Sequence, residues 1–212
     1  MSRTKRIKEF RNKVDNEWAH KFWSFIEENP DNPWNWGIIS ENPNITMDII
    51  RDNPDKPWEW EWISCNPSIT MDFIRENKDK DWNSNLVSEN PNITIDFVRE
   101  NIVMPFDWDS LSKNQNITMD IIKENLDMPW RWRYISQNPN LTLDIIKENP
   151  DKEWDWYEIS RNSNITMDII KKNQYEHWIW SEISCNPNLT IDFIKENPDK
   201  NWDWRAISSN PN

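Results

Sequence analysis

Few side chains in this sequence have a type and spacing that could support catalysis. His20 and His177 are the only histidines, and neither has a cysteine or acidic residue in the arrangement of a nucleophile with its base or of a zinc site. Gly37 is the only glycine, so the sequence has no glycine-rich loop to hold a phosphate. We therefore expect no catalytic residues, no cofactor and no bound metal ion, and a protein that is not an enzyme.

A second candidate for chemistry is an aspartate that recurs every 24 residues. The series is Asp48, Asp72, Asp96, Asp120, Asp144, Asp168 and Asp192. In stacked helices successive members would lie roughly 8–10 Å apart, too far for two carboxylates to share a cation bound at about 2.0–2.6 Å. An arginine or lysine follows each aspartate by three residues, as Arg51 follows Asp48. This spacing favours ion pairs on a helix surface over metal binding.

The two cysteines, Cys65 and Cys185, are separated by five repeat lengths of the sequence. A disulfide requires Cα atoms within about 7 Å of each other, and five stacked layers would hold them much farther apart. The sequence therefore predicts free thiols, which fits a reducing compartment such as a cytoplasm.

An internal repeat of 24 residues must position all of these side chains. Ser64 and Asn66 belong to two series of eight residues each, and a threonine series has the same period. The threonines are Thr46, Thr70, Thr94, Thr118, Thr142, Thr166 and Thr190. No insertion interrupts the spacing, so Thr46, Ser64 and Asn66 are predicted to be structural residues of a stacked unit.

The first half of each unit predicts a short helix. The Asn-Pro-Asn sequence at residues 42–44 is typical of a turn, and Thr46 is predicted to be the N-cap. Ile45 and Ile50 occupy the two positions of a hydrophobic staple. Because glycine is almost absent, asparagines such as Asn53 are expected to adopt the unusual backbone conformations at helix ends.

The second half of each unit predicts another helix of about eight residues. Pro54 ends the first helix, and Pro57 suits the first position of the second. Trp58 and Trp60 follow, and the chain contains 17 tryptophans. Because such short helices are marginal alone, we expect these large side chains to form the core between layers. A stacking platform for sugars or single-stranded nucleic acid is the less favoured interpretation.

Together these patterns predict an all-α fold. We expect an α-solenoid of eight 24-residue short helix pairs in residues 29–212, behind a basic tail and capping helix in residues 1–28, as a single domain overall. Leucine-rich repeats have a similar period, but their Leu-x-x-Leu-x-Leu pattern is absent. The apolar face of the capping helix is expected to comprise Phe10, Val14, Trp18, Phe22, and Phe25 or Ile26.

The repeat resembles one found in proteins that giant DNA viruses of the mimivirus type encode in many copies. The residues that carry the resemblance are Asn-Pro-Asn-Ile-Thr-Met-Asp-Ile-Ile at 42–50 and Asp-Lys-Pro-Trp-Glu-Trp at 55–60, and it covers roughly residues 29–212. The resemblance implies a viral protein located in the host cytoplasm or the virion, and no particular activity. Ser84 and Phe106 depart from the pattern, because each replaces a tryptophan.

Positions that vary between repeats are the candidate partner-binding residues. Arg133 and Tyr157 lie at one variable position. The loop between the two helices is apolar in two adjacent repeats, with Ile102, Val103 and Met104 in one and Leu126 and Met128 in the next. These side chains either form an exposed patch, which often marks an interface, or fold back onto the stack.

The function predicted from these features is a scaffold for protein–protein interaction, with a protein partner of unknown identity. A structural protein that self-associates through its C-terminal layer, near Asn212, is one alternative. A nucleic-acid binder using the basic tail 1–13 is the other, and it is disfavoured by the net charge of −12. The sequence has no apolar run long enough to span a membrane, so we expect no membrane association.

Overall fold

The fold is all-α. The computed structural model describes residues 17–211 of the chain, and within that range it contains sixteen helices and no strand. The first, α1, covers residues 17–28, and two kinds of short helix alternate after it. The Thr helices, which each follow a threonine, are α3 (Met47–Asp52), α5 (Met71–Glu76), α7 (Ile95–Glu100), α9 (Met119–Glu124), α11 (Leu143–Glu148), α13 (Met167–Lys172) and α15 (Ile191–Glu196).

The other kind we call Trp helices, because all but one begin with a tryptophan. They are α2 (Trp36–Glu41), α4 (Trp60–Ile63), α6 (Ser84–Glu89), α8 (Trp108–Lys113), α10 (Trp132–Ile135), α12 (Trp156–Arg161), α14 (Trp180–Ile183) and α16 (Trp204–Ser209). The Thr and Trp helices have four or six residues, so the predicted length of about eight was wrong.

The chain divides into two compact units, Met1–Phe106 and Asp107–Asn212. Unit 1 contains α1 to α7, and unit 2 contains α8 to α16. Within each unit, Trp helices of successive repeats pack together, as α2 does with α4 and α12 with α14. The predicted all-α repeat solenoid is thereby confirmed, whereas the single domain stays a prediction.

Thr helices begin as predicted. The hydroxyl oxygen of each threonine accepts a hydrogen bond from the backbone N–H three residues later, over 3.2–3.5 Å. Ile45 and Ile50, at the staple positions, are both buried. Each cap satisfies one N–H that a helix start would otherwise leave unpaired.

The start of the Trp helices was predicted wrongly. Pro57 lies three residues before Trp60, the first residue of α4, and the intervening Glu59 has an extended backbone. In this segment the N–H of Glu59 donates to the hydroxyl oxygen of Ser40, in the preceding repeat, over 3.1 Å. The bond accompanies the extended residue, and α2 likewise begins at Trp36 after the extended Asn35.

Asparagines at the ends of the Thr helices act through their side chains. No residue of the described range has a positive φ, but Asn53 does have an unusual backbone, with φ −130° and ψ 57°, outside the helical and extended regions. The side-chain amide of Asn53 also donates to the backbone oxygen of Ile49 over 2.9 Å. An asparagine side chain thus satisfies a carbonyl at the helix end that has no partner within the helix.

The helix α1 covers the first repeat, with a face that overlaps only partly with the predicted one: Ile26 is buried as predicted, and Phe22 is half-buried. Ala19, Trp23 and Ile26 are buried, whereas Trp18 and Phe25 are exposed. The ring of Trp23 stacks on that of Trp58 with a centroid distance of 5.5 Å, and this contact sets the rotation of the helix. Phe10, Val14 and the basic tail 1–13 lie outside the described residues.

Candidate functional site

Tryptophans that precede the Trp helices are core residues with a fixed polar contact. Trp58 is buried, and its indole N–H donates to the backbone oxygen of Asn53 over 2.8 Å. The same bond, over 2.7–2.9 Å, is made by Trp34, Trp82, Trp130, Trp154, Trp178 and Trp202. Burial of an indole is favourable when its N–H has a partner, so the predicted core role of Trp58 is confirmed.

Tryptophans that begin the Trp helices join neighbouring repeats. The ring of Trp60 packs edge-to-face against Trp82 of the next repeat, with a centroid distance of 5.1 Å. Equivalent pairs, with distances of 5.1–5.4 Å, are Trp36–Trp58, Trp108–Trp130, Trp132–Trp154, Trp156–Trp178 and Trp180–Trp202. These contacts place the paired rings between repeats, whereas Trp62 and Trp204 are exposed.

The recurring serine connects each repeat to the next. Ser64 is fully buried, and its hydroxyl oxygen accepts from the N–H of Asn83, in the following repeat, over 2.9 Å. The same bond, over 2.9–3.1 Å, is made by Ser40, Ser112, Ser136, Ser160 and Ser184. A buried hydroxyl in this position is needed for pairing and is not available to a substrate.

The recurring asparagine has a similar role. The amide of the fully buried Asn66 donates to the backbone oxygens of Ser40, Asn42 and Ile45 over 2.8–3.1 Å. Its counterparts Asn138 and Asn186 donate in the same way. Because these oxygens belong to the previous repeat, the asparagine replaces the water that would otherwise solvate them.

Exposed faces of the Thr helices carry ion pairs between repeats. Arg51 lies 2.6 Å from Glu76 and 3.5 Å from Asp48. Equivalent pairs between neighbouring repeats are Arg75–Glu100, Lys123–Glu148 and Lys171–Glu196, at 2.6–2.7 Å. The hydrogen bond that Arg51 donates to Glu76 raises the pKa of Arg51, and Glu196 raises the pKa of Lys171 in the same way. The predicted Asp48–Arg51 pair is present, but the closer partner belongs to the next repeat.

Loops before the Trp helices place a lysine on an aromatic ring of the previous repeat. The Nζ atoms of Lys80, Lys152 and Lys200 lie 5.4, 5.3 and 4.7 Å from the ring centroids of Trp60, Trp132 and Trp180. In each case the ring belongs to the first residue of the Trp helix that precedes the loop. We call these three residues the loop lysines.

The predicted apolar loop residues divide by exposure. Ile102 and Val103 are exposed in unit 1, and Leu126 is exposed in unit 2, whereas Met104 and Met128 are half-buried. The methionines occupy the positions of the loop lysines in their repeats. The Trp helix before Met104 begins with Ser84, which has no aromatic ring for a lysine to cover.

The variable position of the Trp helices, which is Gly37 in α2, Arg133 in α10 and Tyr157 in α12, is not exposed in every repeat. Gly37 is buried, and a Cβ atom built on it would lie 3.1 Å from the side chain of Trp62. Arg133 is exposed and pairs with Asp155 at 3.2 Å. Tyr157 is also exposed, and a hydrogen bond to Glu182 raises its pKa.

A loop that sequence reasoning missed lies in unit 2. Residues 174–177 read Gln-Tyr-Glu-His, where residues 54–57 read Pro-Asp-Lys-Pro. Tyr175 is fully exposed. Comparing the loops position by position would have revealed it, because Glu176 stands where other repeats have a loop lysine.

Groups able to support chemistry are sparse in the described range. A cleft of about 660 Å³ in unit 1 is lined by residues that include His20, Asp48 and Asp52. Among residues 17–211, no three His, Cys, Asp or Glu side chains are grouped so as to hold a metal ion. Cys65 and Cys185 are free thiols, as predicted, and burial raises the pKa of both.

Comparisons with protein-family models, with curated proteins and with solved structures found no match to this chain. Among the helices of the described range, none has both the length and the apolar character needed to cross a membrane.

Proposed function

We propose that the protein is a non-catalytic scaffold for protein–protein interaction. The observation that carries the proposal is that recurring and non-recurring residues of the repeat make different contacts. The polar groups of recurring residues such as Ser64 and Asn66 form hydrogen bonds with neighbouring repeats. Several non-recurring residues instead have exposed apolar side chains.

Ile102 and Val103 in unit 1 and Leu126 in unit 2 are the strongest of these non-recurring residues. Val103 is 93% exposed, at a position where Asp55 and Asp79 stand in other repeats. Exposing an apolar side chain to water brings no stability to the monomer, and such residues commonly mark an interface. We propose that they contact a protein partner and, following the resemblance to giant-virus repeats, that this partner is met in an infected host cell.

The test is quantitative affinity capture with the triple variant Ile102→Ser, Val103→Ser and Leu126→Ser. The matched control carries Pro54→Ser, Asp55→Ser and Pro150→Ser, which are the same loop positions in two other repeats and are all exposed. Exposed substitutions usually change stability by no more than about 0.5 kcal/mol each, and the loss of a proline costs about 0.4–1 kcal/mol, so both variants should remain folded at the temperature of the capture experiment.

We expect proteins captured by the wild type and the control to be lost from the triple variant. Each such protein is then purified and its direct binding measured by calorimetry. Capture and direct binding that do not differ between the triple variant and the control would contradict the proposal.

A further inference from the structure

The ring of Trp156 packs against the next repeat as the rings that the loop lysines cover do. It packs edge-to-face against Trp178 of the next repeat, with a centroid distance of 5.3 Å and an angle of 86°. Trp180 and Trp202, whose pair has a loop lysine, are also 5.3 Å apart, at 87°. The aromatic arrangement that accepts an ammonium group is therefore present at Trp156.

The cation itself is replaced by an anion at this repeat. Glu176 occupies the position of Lys152 and Lys200, and no ion pair of its carboxylate is found within residues 17–211. Glu176 is adjacent in sequence to His177, whose ring contacts Trp156. A carboxylate within reach of an indole ring would offer a cation two favourable interactions, an ion pair and a cation–π contact.

The loop around Glu176 is also open to a partner. Tyr175 is fully exposed, and His177 lies edge-to-face with Trp156 at a centroid distance of 5.5 Å. Tyrosine and tryptophan are the residue types that dominate binding energy at protein interfaces. Glu176 is half-buried, so a bound cation would be partly shielded from water.

We propose that Trp156 and the loop 174–177 form a docking site for a cationic side chain, lysine or arginine, of a protein partner. The incoming cation takes the place that the loop lysine holds in other repeats. This inference rests on the proposed interaction role, but its residues are separate from Ile102, Val103 and Leu126.

The test uses a single lysine side chain, Nα-acetyl-lysine methylamide, titrated into the full chain at pH 8. Indole N–H signals are followed by NMR and assigned with the variants Trp156→Phe and Trp132→Phe. Sodium chloride at equal ionic strength and Nα-acetyl-glutamine methylamide are the charge and shape controls. We expect a saturable shift at Trp156 that is several-fold larger than the shift at Trp132, which Lys152 already covers.

Two charge swaps make the test reciprocal. Glu176→Lys should abolish the shift at Trp156, because the site then holds its own cation. Lys152→Glu should create a new saturable shift at Trp132, because it reproduces the combination of ring and carboxylate.

Equal responses at Trp156 and Trp132 in the wild type would overturn the inference, as would no gain at Trp132 in Lys152→Glu. Such a result would leave the capture experiment on the apolar loop residues unaffected. Capture that does not differ between the triple variant and its control, together with an intact lysine response at Trp156, would instead contradict the role of the apolar loop residues and leave the docking site standing.

Discussion

The side-chain amide of Asn186 donates to the backbone oxygen of Asn162, the residue at the same position one repeat earlier, over 3.0 Å. The same amide also reaches the oxygens of Ser160 and Ile165, each over 3.0 Å. One side chain therefore satisfies three carbonyl groups of its neighbour in a site closed to water.

Asn186→Ala should be among the most damaging single substitutions in unit 2. It removes one donor from each of three buried acceptors, of which Asn162 and Ile165 keep another, from the N–H of Ile165 and from the amide of Asn188. We expect the free energy of unfolding to fall by about 1–3 kcal/mol. Urea unfolding followed by circular dichroism measures the loss. Asn188→Ala is the control in the same turn, because Asn188 is half-buried and water can replace its amide. Equal losses in the two variants would contradict this account of the buried amide.

Restoring three residues of the repeat pattern in unit 1 should stabilise that unit. Ser84, Met104 and Phe106 replace the ring, the loop lysine and the indole donor of other repeats. The combined variant Ser84→Trp, Met104→Lys and Phe106→Trp regains an aromatic pair and an indole hydrogen bond, and we expect about 1–2 kcal/mol of added stability.

The reverse exchange in unit 2 is the matched control for that variant. Trp132→Ser, Lys152→Met and Trp154→Phe introduce the same three residues at the same positions of another repeat. Thermal melting should show a loss of about 2–4 kcal/mol, since large side chains leave partly buried sites. If the two exchanges changed the melting temperature in the same direction, the pattern would not explain stability.

Exchanging the charges of an inter-repeat ion pair should show how much the pair itself contributes to stability. Lys171→Glu or Glu196→Lys alone places like charges together and should lower the melting temperature slightly, and the double exchange should restore it. The effect should fade at about 1 M salt, where the Debye length is about 3 Å. Singles that melt like the wild type at low salt would show that the pair contributes nothing.

The same pair has a defined pH dependence. Glu196 raises the pKa of Lys171 in the folded protein, so the pair's contribution is fully present below the ordinary lysine pKa. It should be lost as the pH rises through the raised value. The difference in melting temperature between the wild type and Lys171→Met should therefore disappear in strongly alkaline buffer, and a difference that grew there would reverse the sign.

Both cysteines should react slowly with alkylating reagents near neutral pH. Burial raises the pKa of Cys65 and of Cys185, and nearby acidic residues add to both shifts. Because the thiolate is the reactive form, alkylation by iodoacetamide should lag behind that of an unfolded cysteine peptide and accelerate at higher pH. Cys65 is the less exposed of the two and should be the slower, as mass spectrometry of timed samples can measure.

Local signals made the Thr helices predictable. A threonine such as Thr46, followed by an aspartate and an apolar run, encodes a cap within a few residues, and all seven caps form. Pro57 suggested too early a start for its helix, because Glu59 stays extended and contacts Ser40 of the preceding repeat. A local sequence pattern does not show a contact between repeats.

Recurrence identified the structural positions without revealing their partners. A constant period shows that Ser64 and Asn66 are needed in each copy, but the hydrogen bonds that explain them join one repeat to another. For the same reason the candidate site at Trp156 escaped prediction. What distinguishes this site is that no loop lysine covers the ring of Trp156. That difference can be recognised only once the contact between a loop lysine and a ring of the preceding repeat is known.

The hydrogen bonds from each repeat to the one before it have an evolutionary consequence. Every layer inside a unit offers its successor the same carbonyl oxygens and the same serine hydroxyl, whatever side chains it displays outwards. A duplicated stretch of DNA that spans one whole repeat therefore encodes a layer whose bonding partners already exist at the junction. Such a chain can lengthen or shorten by whole copies, and its outward side chains can diverge afterwards without loss of the fold.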